Sequence, residues 1–430
     1  MKYAIVTLGC KVNQYETQAM EQLLAARGHT PAHSGNADLV IVNTCAVTAE
    51  SVRKSRQAVR RLLKENPGAV AAICGCASQL RPEEAGAISD AVYVVYGSGD
   101  RAAFVDAAER AVEKRAAERR TDDPFRRREL EPLPAGALEG RARAYLKIQD
   151  GCDNFCSYCV IPYVRGRVRS MPLELVAAEA ARLEREGFRE LVLTGIEIAS
   201  YGKDLRDGTS LIDAVETAAR AAPGVRMRLG SLEPTVVTEE FCRRLTACGN
   251  ICRQFHLSLQ SGCDRTLRAM GRKYDTARFT RSCAYLRAAF PGCALTADLI
   301  CGFPGERGED FAETLDFLRA MAFSAVHVFP YSRREGTRAA GLPEQLSKAE
   351  KEARAARAAA VAAGTRRDYL AAQQGEILPV LFETEAAPGE WQGHSDNYCL
   401  VRARGEALHG IMKNVQISAF DGQILIGNIV

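Results

Sequence analysis

The sequence predicts an α/β protein with three parts, namely a small parallel α/β unit, a partial barrel of strand–helix units and a small β-barrel. Apolar runs of strand length alternate with amphipathic helical stretches through most of the chain, which is typical of parallel sheets. Six such units follow one another in the middle, whereas the last sixty residues contain short alternating runs between turns. The expected boundaries are 1–114, a linker at 115–138, 139–370 and 371–430.

Composition fits a globular protein of two or three domains, with 430 residues, 47% hydrophobic and 26% charged. No apolar run reaches 18 residues, so we expect no membrane span and no signal peptide. Fifteen cysteines then argue for a reducing compartment, the cytoplasm. The net charge of +4 does not identify a nucleic-acid partner, although basic residues crowd positions 115–143. The sequence has no Ser-His-Asp set, Walker loop or G-x-G-x-x-G motif, which disfavours hydrolase and nucleotide-phosphate chemistry.

The first part is predicted to alternate strands and helices. Strands are expected at Lys2–Leu8, Leu39–Asn43 and Val70–Ile73, with helices near Glu16–Arg27 and Ala49–Lys64. Parallel sheets of this kind bind ligands beyond the carboxyl ends of their strands.

A cysteine follows each of these three strands almost immediately, at Cys10, Cys45 and Cys76. We expect the three thiols to converge at one edge of the sheet and to form a metal site. Cys74 is ranked below Cys76 because it lies within the strand. The alternative is three buried core cysteines, since spacings of this length form no motif.

Residues 115–138 are charged, contain three prolines and lack apolar periodicity, so they are predicted to form a linker. The middle of the chain then supplies six strand candidates, each ending in a polar or glycine-rich loop, and such loops build the active site of a (β/α) barrel. Six units rather than eight predict a partial, open barrel. The strands are expected at Ala144–Gln149, Glu190–Leu193, Arg226–Leu229, Phe255–Leu259, Leu295–Ile300 and Ala325–Phe329, and the main helices at Glu174–Glu186, Asp264–Phe290, Asp310–Met321 and Lys348–Ala372.

The most informative motif is C-x3-C-x2-C, formed by Cys152, Cys156 and Cys159 with Tyr158 before the last cysteine. Three thiolates this close can bind three irons of a four-iron cluster and leave the fourth iron open. An open position distinguishes a reactive metal site from a structural one. A zinc site with a distant fourth ligand is the alternative. The motif follows the first barrel strand and is therefore expected over the barrel mouth.

The last sixty residues carry basic and aromatic side chains on short strands. These fit either an oligonucleotide-binding barrel or a capping or dimerisation module. The strands are expected at Ile377–Glu383, Tyr398–Arg402, Gly410–Val415 and Ile424–Val430, and the side chains in question are Trp391, Tyr398, Arg402, Arg404 and Lys413.

The run Gly151–Cys159 resembles the radical S-adenosylmethionine (SAM) signature, and the three-part organisation is similar to that of the methylthiotransferase family, whose terminal module is called TRAM. Leu8–Gln14 is similar to the branch that acts on N6-threonylcarbamoyladenosine in tRNA. The branches that act on isopentenyl-adenosine and on a ribosomal-protein aspartate tend to have other residues after the cysteine. Two departures are Gly230, where a second serine is expected, and Glu197, where Asn or His is more usual.

The resemblance implies two 4Fe-4S clusters. One would bind Cys152, Cys156 and Cys159 and chelate SAM, whose reductive cleavage activates a C–H bond. The other would bind Cys10, Cys45 and Cys76 and supply sulfur for a methylthio group at C2 of the adenine. The implied partners are tRNA and an electron donor such as a flavodoxin or ferredoxin, with the sulfur donor unknown. The alternatives are the other two substrates and a non-catalytic iron–sulfur RNA-binding redox sensor.

Residues in the loops after the barrel strands are candidates for the SAM pocket, with loop structure or a helix cap as the alternative. Arginines at 165, 167 and 169 follow the cysteine motif at a period of two and are candidates for a phosphate or the SAM carboxylate, or for a solvated face. The pocket candidates are Gly195, Glu197, Ser231, Glu233, Gln260, Asp298 and Arg272.

Overall fold

The computed structural model describes residues 1–32, 35–134 and 142–430. The predicted fold class is confirmed: parallel α/β structure precedes a closed five-stranded barrel. The end of the expected linker and the start of the expected central domain, 135–141, lie outside the described residues. None of the helices in the described part combines the length and apolar character needed to cross a lipid bilayer.

The first part is a six-stranded parallel sheet in the order β2-β1-β3-β4-β5-β6. Its strands are β1 (Lys2–Thr7), β2 (Thr30–Pro31), β3 (Leu39–Thr44), β4 (Val70–Gly75), β5 (Val92–Tyr96) and β6 (Glu118–Arg120). Its helices are α1 (Lys11–Ala26), α2 (Ala49–Glu65), α3 (Cys76–Leu80), α4 (Pro82–Gly86) and α5 (Arg101–Lys114).

The two central strands, β3 and β4, are buried along their whole length. Their sequences are almost continuously apolar because helices cover both faces of a parallel sheet. At the sheet edge, β6 comes from the segment predicted to be a linker. Its sequence, Glu-Arg-Arg, is largely exposed and has no apolar period, so the sequence pattern could not reveal it.

The central part contains all six predicted strands, arranged as a three-stranded sheet β7-β10-β11 and a four-stranded sheet β12-β13-β14-β15. Its strands are β7 (Arg143–Lys147), β8 (Gln149–Asp150), β9 (Arg169–Ser170), β10 (Glu190–Thr194), β11 (Arg226–Leu229), β12 (Ser231–Leu232), β13 (Gln254–Gln260), β14 (Ala294–Cys301) and β15 (Ala325–Pro330). Its helices are α6 (Ile161–Arg165), α7 (Leu173–Arg185), α8 (Leu211–Ala221), α9 (Glu239–Ala247), α10 (Asp264–Met270), α11 (Thr276–Ala289), α12 (Gly308–Met321) and α13 (Lys348–Ala371).

The third barrel strand is interrupted at Gly230, which separates β11 from β12 and so divides the barrel wall into two sheets. The six strands run parallel, and no pairing within the described residues joins β7 to β15, so the barrel is open as predicted. The helix predicted over Asp264–Phe290 is two helices. Gly271, at φ 74°, ends α10, and the Asp275 side chain caps α11.

The C-terminal part is a closed barrel in the order β16-β17-β18-β20-β19. The sequence missed β17, a mixed polar segment that pairs with β16 and β18. The strands are β16 (Ile377–Ala387), β17 (Glu390–Ser395), β18 (Leu400–Arg404), β19 (Met412–Phe420) and β20 (Leu425–Ile429).

This barrel is attached to the central sheet through backbone carbonyl groups. Arg226 donates to the carbonyls of Pro379 at 3.0 Å and His394 at 2.8 Å, and Arg228 donates to that of Asp396 at 3.0 Å. Glu190 is buried beneath both arginines, 2.6 and 2.7 Å from them. The attachment therefore depends on a buried ion network.

Candidate active site

The three N-terminal cysteines lie at the carboxyl ends of three neighbouring strands. Cys10 follows β1, Cys45 follows β3 and Cys76 begins α3 directly after β4. Cys45 and Cys76 are buried, whereas Cys10 is exposed at the edge of the sheet. Desolvation raises the pKa of all three thiols, and a neighbouring thiol of the set raises each further. We call this set the N-terminal triad. Cys74 instead points into the protein core, 4.0 Å from the sulfur of Met20.

Close packing holds the loops of the N-terminal triad together. Asn13 donates hydrogen bonds to the carbonyls of Leu8 at 2.7 Å and Thr44 at 3.0 Å, which joins the loops that carry Cys10 and Cys45. A side chain on Gly9 would place its Cβ 2.8 Å from Cys45 Sγ, and Gly9 has a φ of 102°. The glycine before Cys10 is therefore required by both space and backbone conformation.

A buried charge network surrounds the N-terminal triad. Arg165 Nε donates to Cys76 Sγ at 3.2 Å, and its guanidinium also contacts Glu16 and Asp150. Lys147 and Arg101 contact Glu16 at 3.4 and 3.1 Å. Despite its own burial, Glu16 has a pKa lowered to about 2, with Arg165 as the strongest of the lowering charges.

The network contains more positive than negative charge. Four cationic side chains, including Arg169 at 3.6 Å from Asp150, form ion pairs with two carboxylates, Glu16 and Asp150, and with no other carboxylate of the described residues. Buried charge without a counter-charge is costly. A 4Fe-4S cluster bound by three thiolates carries net negative charge, so the donor set of the N-terminal triad and its surroundings fit such a group.

The second set of cysteines, which we call the barrel triad, lies in the loop after β8. Backbone amides donate to two of its sulfurs, Asn154 N to Cys152 Sγ at 3.5 Å and Ile161 N to Cys159 Sγ at 3.4 Å. The third, Cys156 Sγ, accepts a hydrogen bond from Arg272 Nη1 at 3.2 Å.

Burial raises the pKa of Cys152 and Cys159 to about 12, so an iron cluster would displace protons on binding. N–H donors directed at sulfur stabilise cluster thiolates and tune their potential. The three thiols and their donors therefore fit an iron–sulfur cluster.

A small apolar cluster joins the segments that carry the two triads. Ala46 and Cys76 from the first part pack against Val160 and Val164 from the loop and helix that follow the barrel triad. Beside this cluster lies a cavity of about 200 Å³, whose lining includes Val47 and Cys159. The loops after Cys45 and around Cys159 thus border the same space.

Two of the predicted pocket residues, Glu197 and Arg272, lie beside the barrel triad and have unused polar atoms. Glu197 Oε2 accepts from Asn154 Nδ2 at 3.3 Å, while Glu197 Oε1 and Arg272 Nη2 are buried and have no hydrogen-bond partner among the described residues. Burial raises the pKa of Glu197 to about 7, opposed by Arg272. An ammonium and a carboxylate on one ligand would satisfy both atoms, and the amino-acid end of SAM has these two groups.

The remaining pocket candidates have different surroundings. Gln260 and Asp298 line the 200 Å³ cavity together with Cys159. Glu233 caps a short 3-10 helix by accepting from Thr235 N, and the Ser231 hydroxyl bonds Ser258. Gly195 packs against Gln149, which leaves no space for a side chain, since a Cβ would lie 2.8 Å from the Gln149 carbonyl oxygen.

The arginines after the barrel triad do not form one solvated or anion-binding face. Arg165 and Arg169 are buried in the charge network, whereas Arg167 is exposed and its guanidinium lies 5.7 Å from the ring centroids of Phe125 and Phe155. The spacing of two residues between these arginines does not place them on one face, because Arg165 and Arg169 are buried and Arg167 between them is exposed. No local sequence pattern indicated that Arg165 contacts Cys76 or that Arg165 and Arg169 contact Asp150.

Sequence reasoning also missed several polar residues that organise the site. Asn13 and Glu16 lie on α1 just after Cys10, and Gln149 orients the loop of Glu197 by accepting from its backbone amide at 2.9 Å. Asn13 was visible as part of the run Leu8–Gln14. Gln149 and Glu16 carried no local signal for these contacts, because Glu197 is 48 positions from Gln149 and Arg165 is 149 positions from Glu16.

Comparison with known proteins identifies the family. Residues 146–318 match the radical SAM superfamily, and residues 2–97 match a family described as uncharacterized protein family UPF0004. The chain is 36% identical to threonylcarbamoyladenosine tRNA methylthiotransferase MtaB of Bacillus subtilis (strain 168), over 96% of this chain and 93% of that protein.

A second relative and one solved structure extend the comparison. The chain is 32% identical to tRNA-2-methylthio-N(6)-dimethylallyladenosine synthase of Symbiobacterium thermophilum, over 99% of this chain and 94% of that protein. The radical SAM methyltransferase TsrM of Kitasatospora setae, solved with cobalamin and a 4Fe-4S cluster, has a TM-score of 0.55 at 16% identity, covering 91% of this chain and 80% of that one. At this identity it supports the fold alone.

The chain belongs to the radical SAM methylthiotransferase family, and the predicted resemblance to its threonylcarbamoyladenosine branch is confirmed. It is a radical SAM tRNA methylthiotransferase, which decides against a non-catalytic redox sensor. SAM and 4Fe-4S clusters are the cofactors of this family, as predicted.

Proposed function

We propose that this enzyme converts N6-threonylcarbamoyladenosine, on the 3′ side of the anticodon in tRNA, to its 2-methylthio derivative. The observation that carries the proposal is that the loop after Cys45 of the N-terminal triad and the loop around Cys159 of the barrel triad border one cavity. The choice of substrate is supported by the run Leu8–Gln14 and by the Bacillus subtilis relative, which bears that activity in its name.

In this proposal the barrel triad, Cys152, Cys156 and Cys159, holds the 4Fe-4S cluster that binds SAM, and the N-terminal triad holds the second cluster. When bound, these groups supply one-electron reduction, radical activation of a C–H bond and sulfur, none of which side chains provide. The protein's own contribution is to position the groups and to exclude water.

Glu197 and Arg272 are proposed to hold the amino-acid end of SAM, because each has a buried polar atom without a partner among the described residues. Tyr158, Gln260 and Asp298 line the neighbouring cavity and are proposed to surround its nucleoside end. Gly195, Ser231 and Glu233 are proposed to support this pocket through the loops they shape, without direct contact being required.

The proposed active site is closed where the two triads approach each other. Ala46, Val160 and Val164 exclude water between them, which protects reactive species from side reactions. Arg165 places a positive charge beside Cys76 and so balances an anionic cluster.

The proposal also covers the binding partners of the enzyme, its location in the cell and its domain boundaries. We propose that the C-terminal barrel contributes to tRNA binding, since Arg402, Arg404 and Lys413 lie on its strands. We further propose that the enzyme acts in the cytoplasm and receives electrons from a flavodoxin or ferredoxin. The sulfur donor is left open. The proposed domains are 1–114, 139–370 and 371–430, with 115–138 as a connecting segment that adds β6 to the first sheet.

The test is anaerobic reconstitution with iron and sulfide, followed by addition of SAM, reductant and tRNA bearing threonylcarbamoyladenosine. Mass spectrometry of the digested nucleosides is expected to detect the 2-methylthio product. Formation of 5′-deoxyadenosine without the 2-methylthio product would show that threonylcarbamoyladenosine is not the substrate. A parallel reaction with dimethylallyladenosine tRNA and one with ribosomal protein would then identify which alternative is turned over.

A further inference from the structure

A second cavity lies between the first part, the central barrel and the C-terminal barrel. Its volume is about 270 Å³, and its lining includes Lys11, Tyr145, Val192, Arg228 and Tyr398. Lys11 is the first residue of α1 and directly follows Cys10 of the N-terminal triad. The cavity therefore joins the sulfur side of the proposed active site to residues from all three parts of the chain.

Among the described residues, Lys11 is the cation of this cavity that has no counter-ion. Arg143 pairs with Glu383 at 2.7 Å, and Arg228 pairs with Glu190 at 2.7 Å. Both also contact Tyr398. Lys11 is exposed to the cavity and has no ion pair or hydrogen bond from its side chain among the described residues.

The other charged groups that face Lys11 do not supply it with a counter-ion. Its charged neighbours are Arg228, Glu190, Arg143 and Asp298. Asp298 already pairs with His256 Nε2 at 3.2 Å. A small anionic group entering the cavity would thus find one available ammonium on walls whose carboxylates are already engaged.

We propose that Lys11 binds the threonyl carboxylate of the substrate and so selects threonylcarbamoyladenosine over adenosines with an uncharged N6 substituent. This inference rests on the proposed function. Attachment of threonine through its amino group leaves its carboxylate free, and the N6 substituent projects from the same pyrimidine ring that carries C2. A base placed with C2 toward the N-terminal triad therefore directs this carboxylate toward the residue next to Cys10.

A charged contact of this kind gives selectivity as well as affinity. A charge-assisted hydrogen bond is worth about tenfold or more in binding. A substrate without the carboxylate would leave the ammonium unpaired in the cavity, and a site built for a polar group rejects analogues that lack it. A backbone phosphate could offer the same chemistry, but it would be bound equally in every tRNA.

The test uses the reconstituted full-length enzyme and two synthetic anticodon stem-loops. One carries threonylcarbamoyladenosine, and the other carries the same nucleoside with its carboxylate converted to a primary amide. The wild-type enzyme is expected to bind the first about tenfold or more tighter. Lys11→Met is expected to bind the two equally, and Lys11→Arg to keep a preference for the carboxylate.

Several results would overturn the inference. Equal binding of the two stem-loops by the wild-type enzyme would do so without any variant, as would an unchanged preference in Lys11→Met. An equal loss for both stem-loops in Lys11→Met would assign Lys11 to a phosphate. Lys11→Arg keeps the charge at the same position, so a preference retained in Lys11→Arg and lost in Lys11→Met assigns the effect to the charge rather than to a disturbed fold.

Turnover separates this inference from the proposed function. Formation of the 2-methylthio product by a wild-type enzyme that shows no carboxylate preference would sustain the proposed function and reject the role of Lys11. A carboxylate preference without product would sustain the role of Lys11 in recognition and reject the proposed reaction.

Discussion

Arg165 Nε donates a hydrogen bond of 3.2 Å to Cys76 Sγ, although the two residues are 89 positions apart. Arg165 lies at the end of α6, shortly after the barrel triad, while Cys76 begins α3 at the edge of the first sheet. The same guanidinium contacts Glu16 on α1 and Asp150 before the barrel triad. One buried side chain thus links the N-terminal triad to the segments that flank the barrel triad.

Replacing Arg165 by Met is expected to destabilise the reconstituted protein by about 3–5 kcal/mol, because the proposed anionic cluster, Glu16 and Asp150 lose a buried cationic partner. It should also lower the reduction potential of the cluster proposed on the N-terminal triad, since an N–H donor to sulfur is lost. Denaturant unfolding and an EPR-monitored redox titration measure the two effects.

The matched control is Arg167→Met, which removes an exposed guanidinium from the same segment. It should leave the potential unchanged and alter stability by less than about 1 kcal/mol. Equal effects of the two substitutions would contradict the role assigned to Arg165.

Substitutions in the two triads should remove different steps of the reaction. Cys156→Ala is expected to abolish SAM cleavage, whereas Cys45→Ala should preserve 5′-deoxyadenosine formation and remove sulfur insertion. Each variant should retain about half of the iron of the wild type, because each loses one 4Fe-4S cluster. Iron analysis and product mass spectrometry report these outcomes on the same samples.

Cys74→Ala serves as the control because Cys74 is a near neighbour of Cys76 but faces Met20 in the core. It should keep full iron content at a modest cost in stability. Loss of both activities in Cys45→Ala would mean that the N-terminal cysteines serve the fold. Survival of SAM cleavage in Cys156→Ala would refute the barrel cluster.

The strand–cysteine pattern predicted three of the six strands of the first sheet, β1, β3 and β4, and the position of the cysteines after them. Each apolar run ends in a loop, and in parallel sheets these loops meet at one edge. The six barrel strands were equally visible from their apolar or alternating sequences and the polar or glycine-rich loops that follow them. By contrast, β6 and β17 are exposed or mixed in character, so no period marked them.

The contacts that complete the site could not be predicted from local pattern. Arg165 meets Glu16 across 149 positions, and Arg272 meets Cys156 across 116. Such pairs depend on how the sheets pack, which hydrophobic periodicity does not encode. Polar residues at these positions have the same sequence signature as a solvated surface.

Glu197→Gln should reveal the raised pKa of the Glu197 carboxyl group. Burial raises the pKa of Glu197 from its ordinary value of 4.5 to about 7, so the folded apoprotein favours the protonated carboxyl. Stability from this group is present below pH 4.5 and is lost as pH rises through 7. The substitution should therefore stabilise the apoprotein at pH 8 by up to roughly 3 kcal/mol and have little effect at pH 4.

The same substitution should weaken SAM binding to the reconstituted enzyme, because a neutral amide attracts an ammonium less than a carboxylate does. Thermal unfolding across pH and SAM titration measure the two opposing effects. A stability gain that does not depend on pH would reject the assigned pKa, and unchanged SAM affinity would reject the role of Glu197 in binding.

Glu190 should control the attachment of the C-terminal barrel. It is fully buried against Arg226 and Arg228, and these arginines donate to carbonyls of that barrel. Their charges hold the pKa of Glu190 at about 2, well below its usual 4.5, despite burial. Its contribution to stability is therefore full above pH 4.5 and is lost as pH falls toward 2, an amount of roughly 3 kcal/mol.

Glu190→Gln leaves both arginines without their buried counter-charge and is expected to cost about 3–5 kcal/mol at neutral pH. The stability loss of the wild type between pH 4.5 and 2 should be correspondingly smaller in the variant. Because the arginines anchor the barrel, limited proteolysis should cut faster between α13 and β16. Glu385→Gln, on an exposed part of β16, is the control and should change neither quantity. Faster cleavage in both variants, or in neither, would show that the barrel does not depend on Glu190.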